Sequence, residues 1–443
     1  MDRNKYLETV AEQIRCKRAV PFLKQELADH IEDQKEAYIV DGMDSEEAEA
    51  AAVREMGDPV ETGVQLNLIH RPKMNRKVLT GTILLGLIGL AIQLLILTIV
   101  YEAQLGPAYS APYYLYAMDE IVEQMVITAG GIMIMLAVCY VDYTRLFKHV
   151  KKMWIILNVL LFGMGVLEFP IFYCVINGVN RNIAFVAYLA VPLYGALIYA
   201  YKNQGQKGIL KSLISLLIFL WLMTFEVGLG FITMIGIIMG IVFVRAIRID
   251  WFKLSREKIR RKTGWFAGLG IAAALGLSFL YEGYTAFIKI PDYYRQRFQL
   301  IIEGNTQDYV AKMIKAFLQT GEYASELPLL KMPMQSDYVW LAVVEALGVF
   351  AGIFLILICG ILAIFLLRRA YKEKNKLGHF VAISCTWFLI IETVFNIGGN
   401  FGRTPFMGSF MPFLAYGKVV TVVSYFYMGI LLSIFRNTNV VRN

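Results

Sequence analysis

Apolar runs long enough to cross a bilayer recur along most of this chain, and they decide its fold class. A membrane-spanning helix needs about 20 consecutive apolar residues, and only helices or closed barrels satisfy every backbone polar group in lipid. About ten runs qualify: 78–101, 124–141, 153–176, 183–201, 209–225, 227–244, 264–282, 338–367, 378–397 and 413–435. The pair 209–225 and 227–244 is separated only by Phe225-Glu226-Val227-Gly228, which reads as a break between two helices. Hydrophobic residues make up 57% of the chain, and its mean hydropathy of +0.55 excludes an ordinary soluble enzyme. The expected fold class is all-α: a polytopic membrane protein of about ten transmembrane helices preceded by a small cytoplasmic helical bundle.

Loop charge orients the spans. Lys and Arg concentrate in alternate loops, at Arg71–Lys77, Arg145–Lys152, Lys202–Lys211, Arg245–Lys262 and Arg368–Lys376. The loop 102–123 carries Glu102, Asp119, Glu120 and Glu123 and no Lys or Arg. The positive-inside rule then puts both termini in the cytoplasm and the long loop 283–336 outside. The net charge of +8 is mostly this anchoring charge apposed to anionic membrane lipids. No basic domain with interleaved aromatics stands apart from the spans, which argues against nucleic acid as a partner. Cys16 is cytoplasmic and Cys139, Cys174, Cys359 and Cys385 lie in or near spans, so no disulfide outside the membrane is expected. The charged amphipathic N-terminus is no cleavable signal, and the first span is expected to direct insertion.

Residues 1–72 form a charged unit with its own helix punctuation. Asp44-Ser45-Glu46-Glu47 resembles a capping box, Gly42 and Gly57 suit positions just past helix ends, and Asp58-Pro59 restarts a helix. Leu23, Leu27 and Ile31 share one helical face. These signals predict a bundle of about four helices, near the lower size limit for an independent core. The run from Glu26 to Pro59, with His30, Ser45-Glu-Glu-Ala48 and Gly57-Asp58-Pro59, resembles the helical prefix domain that precedes membrane segments in many Gram-positive permease-like and sensor-associated proteins. That resemblance implies an interaction or regulatory module. His30 has no second His or Cys at ligand spacing and reads as a helix-face residue.

A second set of motifs fills the last third of the chain. Asp292-Tyr-Tyr-Arg295-Gln-Arg297 opens the long loop and Gln335-Ser336-Asp337-Tyr338 closes it. Val344-Glu345-Ala346-Leu347-Gly348 follows, then Asn396-Ile397-Gly398, then Pro405 to Gly408 and Met411-Pro412-Phe413-Leu414-Ala415-Tyr416-Gly417. In that order they resemble the SEDS family of RodA, FtsW and SpoVE, with weaker likeness at Gly178-Val-Asn-Arg181 and Phe225–Gly228. The resemblance implies ten membrane helices and polymerisation of peptidoglycan glycan strands from lipid II, beside a class B penicillin-binding protein. By motif match Asp337 takes the family's essential Asp, and Glu345 the first Glu of Glu-Glu-Leu-Gly.

Several positions depart from the family pattern. Leu193-Tyr194 stands where the family has Ser-Glu, and Leu197 where it has Lys. Ala346 replaces a Glu, Ala415 a Ser and Lys418 a Gly.

Glycan polymerisation joins a sugar 4-hydroxyl to the anomeric carbon of a lipid diphosphate donor. Asp337, where the loop re-enters the membrane, is the candidate general base. The leaving diphosphate needs cations, and Arg181, Arg295, Arg297, Lys331 and Arg403 map to the outer side. A bound divalent ion, Mg or Mn, would serve the same end. Glu345, Asn396 and Tyr416 complete the candidate substrate-binding set, and the Tyr- and Gly-containing C-terminal segment is expected to line the cavity for the lipid tail. Each residue also has a structural reading. Asp337 suits an N-cap, Glu345 a partner for a buried donor, the arginines headgroup anchors, and Pro412 and Gly417 a re-entrant turn. Three functions compete: a lipid II polymerase, a degenerate relative that binds lipid II or a cell-wall partner as regulator or scaffold, and a lipid transporter. The last is disfavoured because few charges, chiefly Glu226, Glu345 and Glu392, lie within spans.

Overall fold

The structure is a computed structural model. It describes residues 1–443 except 18, 71, 73, 105–111, 166–181, 224–228, 255–338, 401–408 and 439–443, with side chains also undescribed in short stretches of helix beside these segments. The described residues are all-helical and divide into two compact units.

The first unit comprises Met1–Arg76 with Glu373–Asn375 and Ile434–Asn443. Its helices are α1 (Arg3–Gln13), α2 (Ala19–Val40), α3 (Ser45–Glu55) and α4 (Pro59–His70). The Asp44 carboxylate accepts the Glu46 backbone N–H at 3.1 Å and so caps α3. Asp58 does the same for α4, accepting from Val60 and Glu61. Gly42 and Gly57 adopt φ of +97° and +77°, backbone that a Cβ would strain. Tyr6, Val10, Leu23, Leu27, Ile31, Ala52 and Val53 form the buried core. The Tyr6 hydroxyl donates to the Met56 carbonyl at 3.0 Å and ties α1 to the end of α3.

The second unit holds the apolar helices. They are α5 (Arg76–Gln104), α6 (Pro112–Tyr140), the short α7 (Tyr143–Leu146), α8 (Val150–Gly165), α9 (Asn182–Ala200), α10 (Gly205–Met223), α11 (Leu229–Arg248), α12 (Val339–Leu347), α13 (Val349–Tyr371), α14 (Lys376–Asn400) and α15 (Lys418–Asn437). Among the described residues seven helices are long and apolar enough to cross a membrane, and Ala187–Ala200 is a shorter apolar one. The expected span 264–282 lies outside the described residues. The pair 209–225 and 227–244 corresponds to α10 and α11.

Two expected spans are corrected. The run 338–367 is not one helix: it breaks at Gly348, whose φ of +86° ends α12 and starts α13. The Trp340 indole N–H donates to the Gly352 carbonyl at 3.0 Å, closing the corner between them. Hydropathy alone did not show this break because both sides are equally apolar. The run 413–435 becomes helical only at Lys418. Phe413 at φ +68° and Gly417 at φ +134° hold the preceding residues out of helix.

Helix α9 is central, packing on α8, α11 and α14. A Cβ at Gly195 would lie 2.8 Å from the Phe380 carbonyl oxygen, so glycine permits this approach of α9 to α14. Aromatic side chains bind α9, α14 and α15 together: Tyr188 meets Phe388 edge-on at 5.3 Å, Phe388 stacks on Tyr427 at 4.3 Å, and the Tyr427 hydroxyl donates to the Tyr188 carbonyl at 2.5 Å.

Candidate functional site

The segment Ser409–Gly417, just before α15, is non-helical yet buried: Phe410, Met411, Leu414 and Ala415 are all 5% exposed or less. Non-helical backbone among membrane helices is tolerated only when its N–H and C=O groups find partners in the protein. Here side chains supply them. On α14, Glu392, Asn396 and Asn400 stand at i, i+4 and i+8, one face of the helix, and all are buried. The Glu392 carboxylate accepts the Phe410 N–H at 3.2 Å, and the Asn396 amide donates to the Ser409 carbonyl at 2.9 Å. From α5, the Gln93 amide donates to the Leu414 carbonyl at 2.6 Å. From α6, the Gln124 side chain accepts the Gly417 N–H at 3.4 Å and donates to Thr421 at 3.2 Å.

The same polar face reaches α12. The Asn400 oxygen accepts the Leu341 N–H at 3.1 Å, one of the first-turn donors that a helix cannot satisfy internally. The Asn400 amide in turn donates to the Asn396 carbonyl at 2.7 Å. One continuous network therefore joins the Ser409–Gly417 segment, the end of α14 and the N-terminus of α12. Val339, the first residue of α12, follows Asp337 by two positions in the chain.

Beside this network Leu85, Cys359, Leu389, Val394, Pro412 and Phe413 help line an open-sided apolar pocket of about 180 Å³ between α5, α13 and α14. Glycines on α5 allow close packing here: a Cβ at Gly89 would lie 3.0 Å from the Leu414 Cα.

Asp337, Arg181, Arg295, Arg297, Lys331 and Arg403 lie outside the described residues, as does Glu226. Glu345 lies on α12, with its side chain among the undescribed ones. Asn396 is 1% exposed and engaged with Ser409 and Asn400, while Tyr416 is half-buried in the non-helical segment. Sequence reasoning did not find Gln93, Gln124 or Asn400, and it weighed Glu392 only as a mid-span charge. The available signal was the four-residue spacing of Glu392, Asn396 and Asn400 in an apolar run.

The departures from the family pattern are built into the packing. Leu193, Tyr194 and Leu197 are buried. The Tyr194 ring lies 5.8 Å from Trp154, which lies 5.5 Å from Phe219, and the Tyr194 hydroxyl donates to the Ser212 carbonyl at 3.2 Å. An aromatic joint therefore links α8, α9 and α10. Lys418 pairs with Glu123 of α6.

Fold and site define a multi-pass helical membrane protein organised around a buried non-helical segment near its C-terminus. Residues 320–440 match the cell cycle protein family of FtsW, RodA and SpoVE. The chain is 31% identical over 99 residues to the "Probable peptidoglycan glycosyltransferase FtsW" of Bacillus subtilis (strain 168), covering 22% of this chain and 25% of that protein. It is 29% identical over 102 residues to stage V sporulation protein E of the same organism, covering 23% of this chain and 28% of that one. These alignments span about a quarter of the relatives' length. A solved structure described as showing structural coordination of polymerization and crosslinking by a peptidoglycan synthase complex contains a chain of the same fold, with a TM-score of 0.58, 17% identity and coverage of 82% of this chain and 98% of that one. The family match is confined to residues 320–440, while the likeness of fold extends over 82% of the chain.

Proposed function

We propose that the protein polymerises peptidoglycan glycan strands from lipid II, in cell-wall synthesis for shape, division or sporulation. The observation that carries this reading is the convergence of motif segments far apart in the chain. Asn396 and Asn400, the Ser409–Gly417 turn and the start of α12, two positions after Asp337 in the sequence, are held by one network. The family match over residues 320–440 includes all of them.

In the reaction, the 4-hydroxyl oxygen of the acceptor sugar attacks the donor's anomeric carbon. The bond from that carbon to the diphosphate breaks, the lipid diphosphate leaves, and the Asp337 carboxylate takes the hydroxyl proton. Arg181, Arg295, Arg297, Lys331 and Arg403 are the candidates to balance the diphosphate charge. Glu345 and Tyr416 are the remaining candidates for contact with the substrate, and the apolar cavity beside Pro412 and Phe413 suits a prenyl tail. A divalent ion, Mg or Mn, would be held by Asp337 together with the diphosphate oxygens and would supply charge for the leaving group. A class B penicillin-binding protein is the proposed partner. The alternation of basic loops supports both termini in the cytoplasm, with loop 283–336 and Asp337 on the outer face.

A second reading is favoured by one observation. The aromatic joint at Tyr194 occupies the position of the family's Ser-Glu, which supports a catalytically degenerate relative that binds lipid II as regulator or scaffold. Residues 1–72 would be its signalling module. One substitution separates the readings. Asp337→Asn keeps size and capping ability but cannot accept the proton. If Asp337 is the base, polymerisation of purified lipid II, assayed with the penicillin-binding partner, falls by about 10²–10⁴-fold with the fold intact. A folded Asp337→Asn protein with full activity refutes the assignment. A native protein with no activity but measurable lipid II binding establishes the second reading.

A further inference from the structure

Helix α4 exposes an apolar stripe that its own unit does not cover. Val60, Val64 and Leu68, at i, i+4 and i+8, are between 44% and 48% exposed, and the neighbouring Ile69 is 57% exposed. The opposite face is satisfied: a Cβ at Gly63 would meet Val10 and Gln13 of α1, and His70 is buried. The stripe is therefore a surplus apolar face on a folded unit, not a core face awaiting a missing strand or helix of that unit.

Charge says what covers it. Residues 19–58, which hold α2 and α3, carry twelve Asp and Glu against three Lys and Arg. The Arg15 N–H donates to the Asn67 side chain at 3.1 Å, which sets the end of α1 against the last turn of α4. Arg15 and Lys17 are both exposed at that corner, and Arg76 and Lys77, also exposed, follow α4 within seven residues. The unit is thus electrically polarised, acidic on α2 and α3 and basic where α1 and α4 end. Five residues separate α4 from the first apolar helix, which limits the gap to about 20 Å even when fully extended. Another exposed apolar group, Ile39, Val40 and Met43, is flanked by Asp41 and Asp44 and lacks this complement.

We propose that α4 docks on the bilayer surface, with Val60, Val64 and Leu68 in the headgroup–acyl boundary and Arg15 and Lys17 on anionic phosphates. Helix α4 itself carries no Lys or Arg and Glu61 lies at the edge of the stripe, so the basic groups are those where α1 and α4 end; an exposed apolar helix face with basic groups at its end suits an interfacial helix. Anionic lipid attracts the basic corner and repels the acidic face, so charge alone fixes which side of the unit turns to the membrane.

The test uses the full chain in nanodiscs. Val64→Cys, labelled with an environment-sensitive fluorophore on a background without native cysteines, is compared with Glu47→Cys on exposed α3. In discs containing phosphatidylglycerol the label at 64 shifts to the blue and is quenched several-fold more by headgroup-proximal nitroxide lipids than the label at 47. Arg15→Glu with Lys17→Glu abolishes the difference. A label at 64 as water-like as that at 47 overturns the proposal. So does a shielded label that lipid nitroxides fail to quench, which would assign the stripe to a protein partner or a second copy. Equal quenching in purely zwitterionic discs overturns the anionic-headgroup assignment.

Discussion

Two substitutions at the buried Ser409–Gly417 segment test whether side chains hold it. Asn396→Leu is nearly isosteric. It removes the 2.9 Å bond to the Ser409 carbonyl and the 3.3 Å bond received from Asn400, leaving the carbonyl without that donor in a site closed to water. A buried polar group left unsatisfied costs about 1–3 kcal/mol. Side-chain bonds between membrane helices average only about 0.6 kcal/mol, because the unfolded chain in lipid finds other partners. The larger figure governs here, since the bond serves non-helical backbone, and the expected loss is about 1–3 kcal/mol. Gln93→Leu also removes one bond, at 2.6 Å to the Leu414 carbonyl. It also deletes a buried oxygen, Gln93 Oε1, that accepts no hydrogen bond among the described residues. That relief offsets much of the loss, so Gln93→Leu should cost less than about 1 kcal/mol. Equilibrium unfolding in mixed detergent micelles measures both. The reasoning fails if Gln93→Leu destabilises as much as Asn396→Leu, or if neither moves the midpoint.

Further outcomes follow from other parts of the molecule. Gly89→Ala places a methyl against the Leu414 backbone and should lower stability by about 1–3 kcal/mol in the same assay, through overpacking. In the first unit the Glu49 carboxylate, 2.8 Å from Lys35, raises the lysine above its ordinary 10.5. That contribution is fully present below pH 10.5 and is lost as pH rises through the folded value, so alkaline melting should show a dependence that Glu49→Gln removes. For orientation, a cysteine introduced near Thr320 should react with an impermeant reagent added outside, and labelling near Lys258 instead would invert the topology.

Much of the architecture follows from sequence alone, because hydropathy and capping are local. Spans appear wherever about 20 apolar residues recur. Asp44, Gly42, Gly57 and Asp58 announce the helix ends of residues 1–72 through side-chain and φ preferences that act within a few residues. The motif order from Asp337 to Gly417 likewise pointed to the family without any coordinates. What sequence could not decide were events whose cause lies across the fold. Gly348 breaks a uniformly apolar run, and hydropathy is blind to that corner, which the Trp340–Gly352 bond closes. Residues 413–417 read as the first turn of a span running to 435, since most of them are apolar. The Ser409–Gly417 segment stays out of helix because Gln93, Gln124, Glu392 and Asn396, from three other helices, satisfy its backbone. Gln93 and Leu414 are 321 positions apart. No local pattern encodes such a pairing, and only the packed bundle, where water cannot replace the missing partners, makes it decisive.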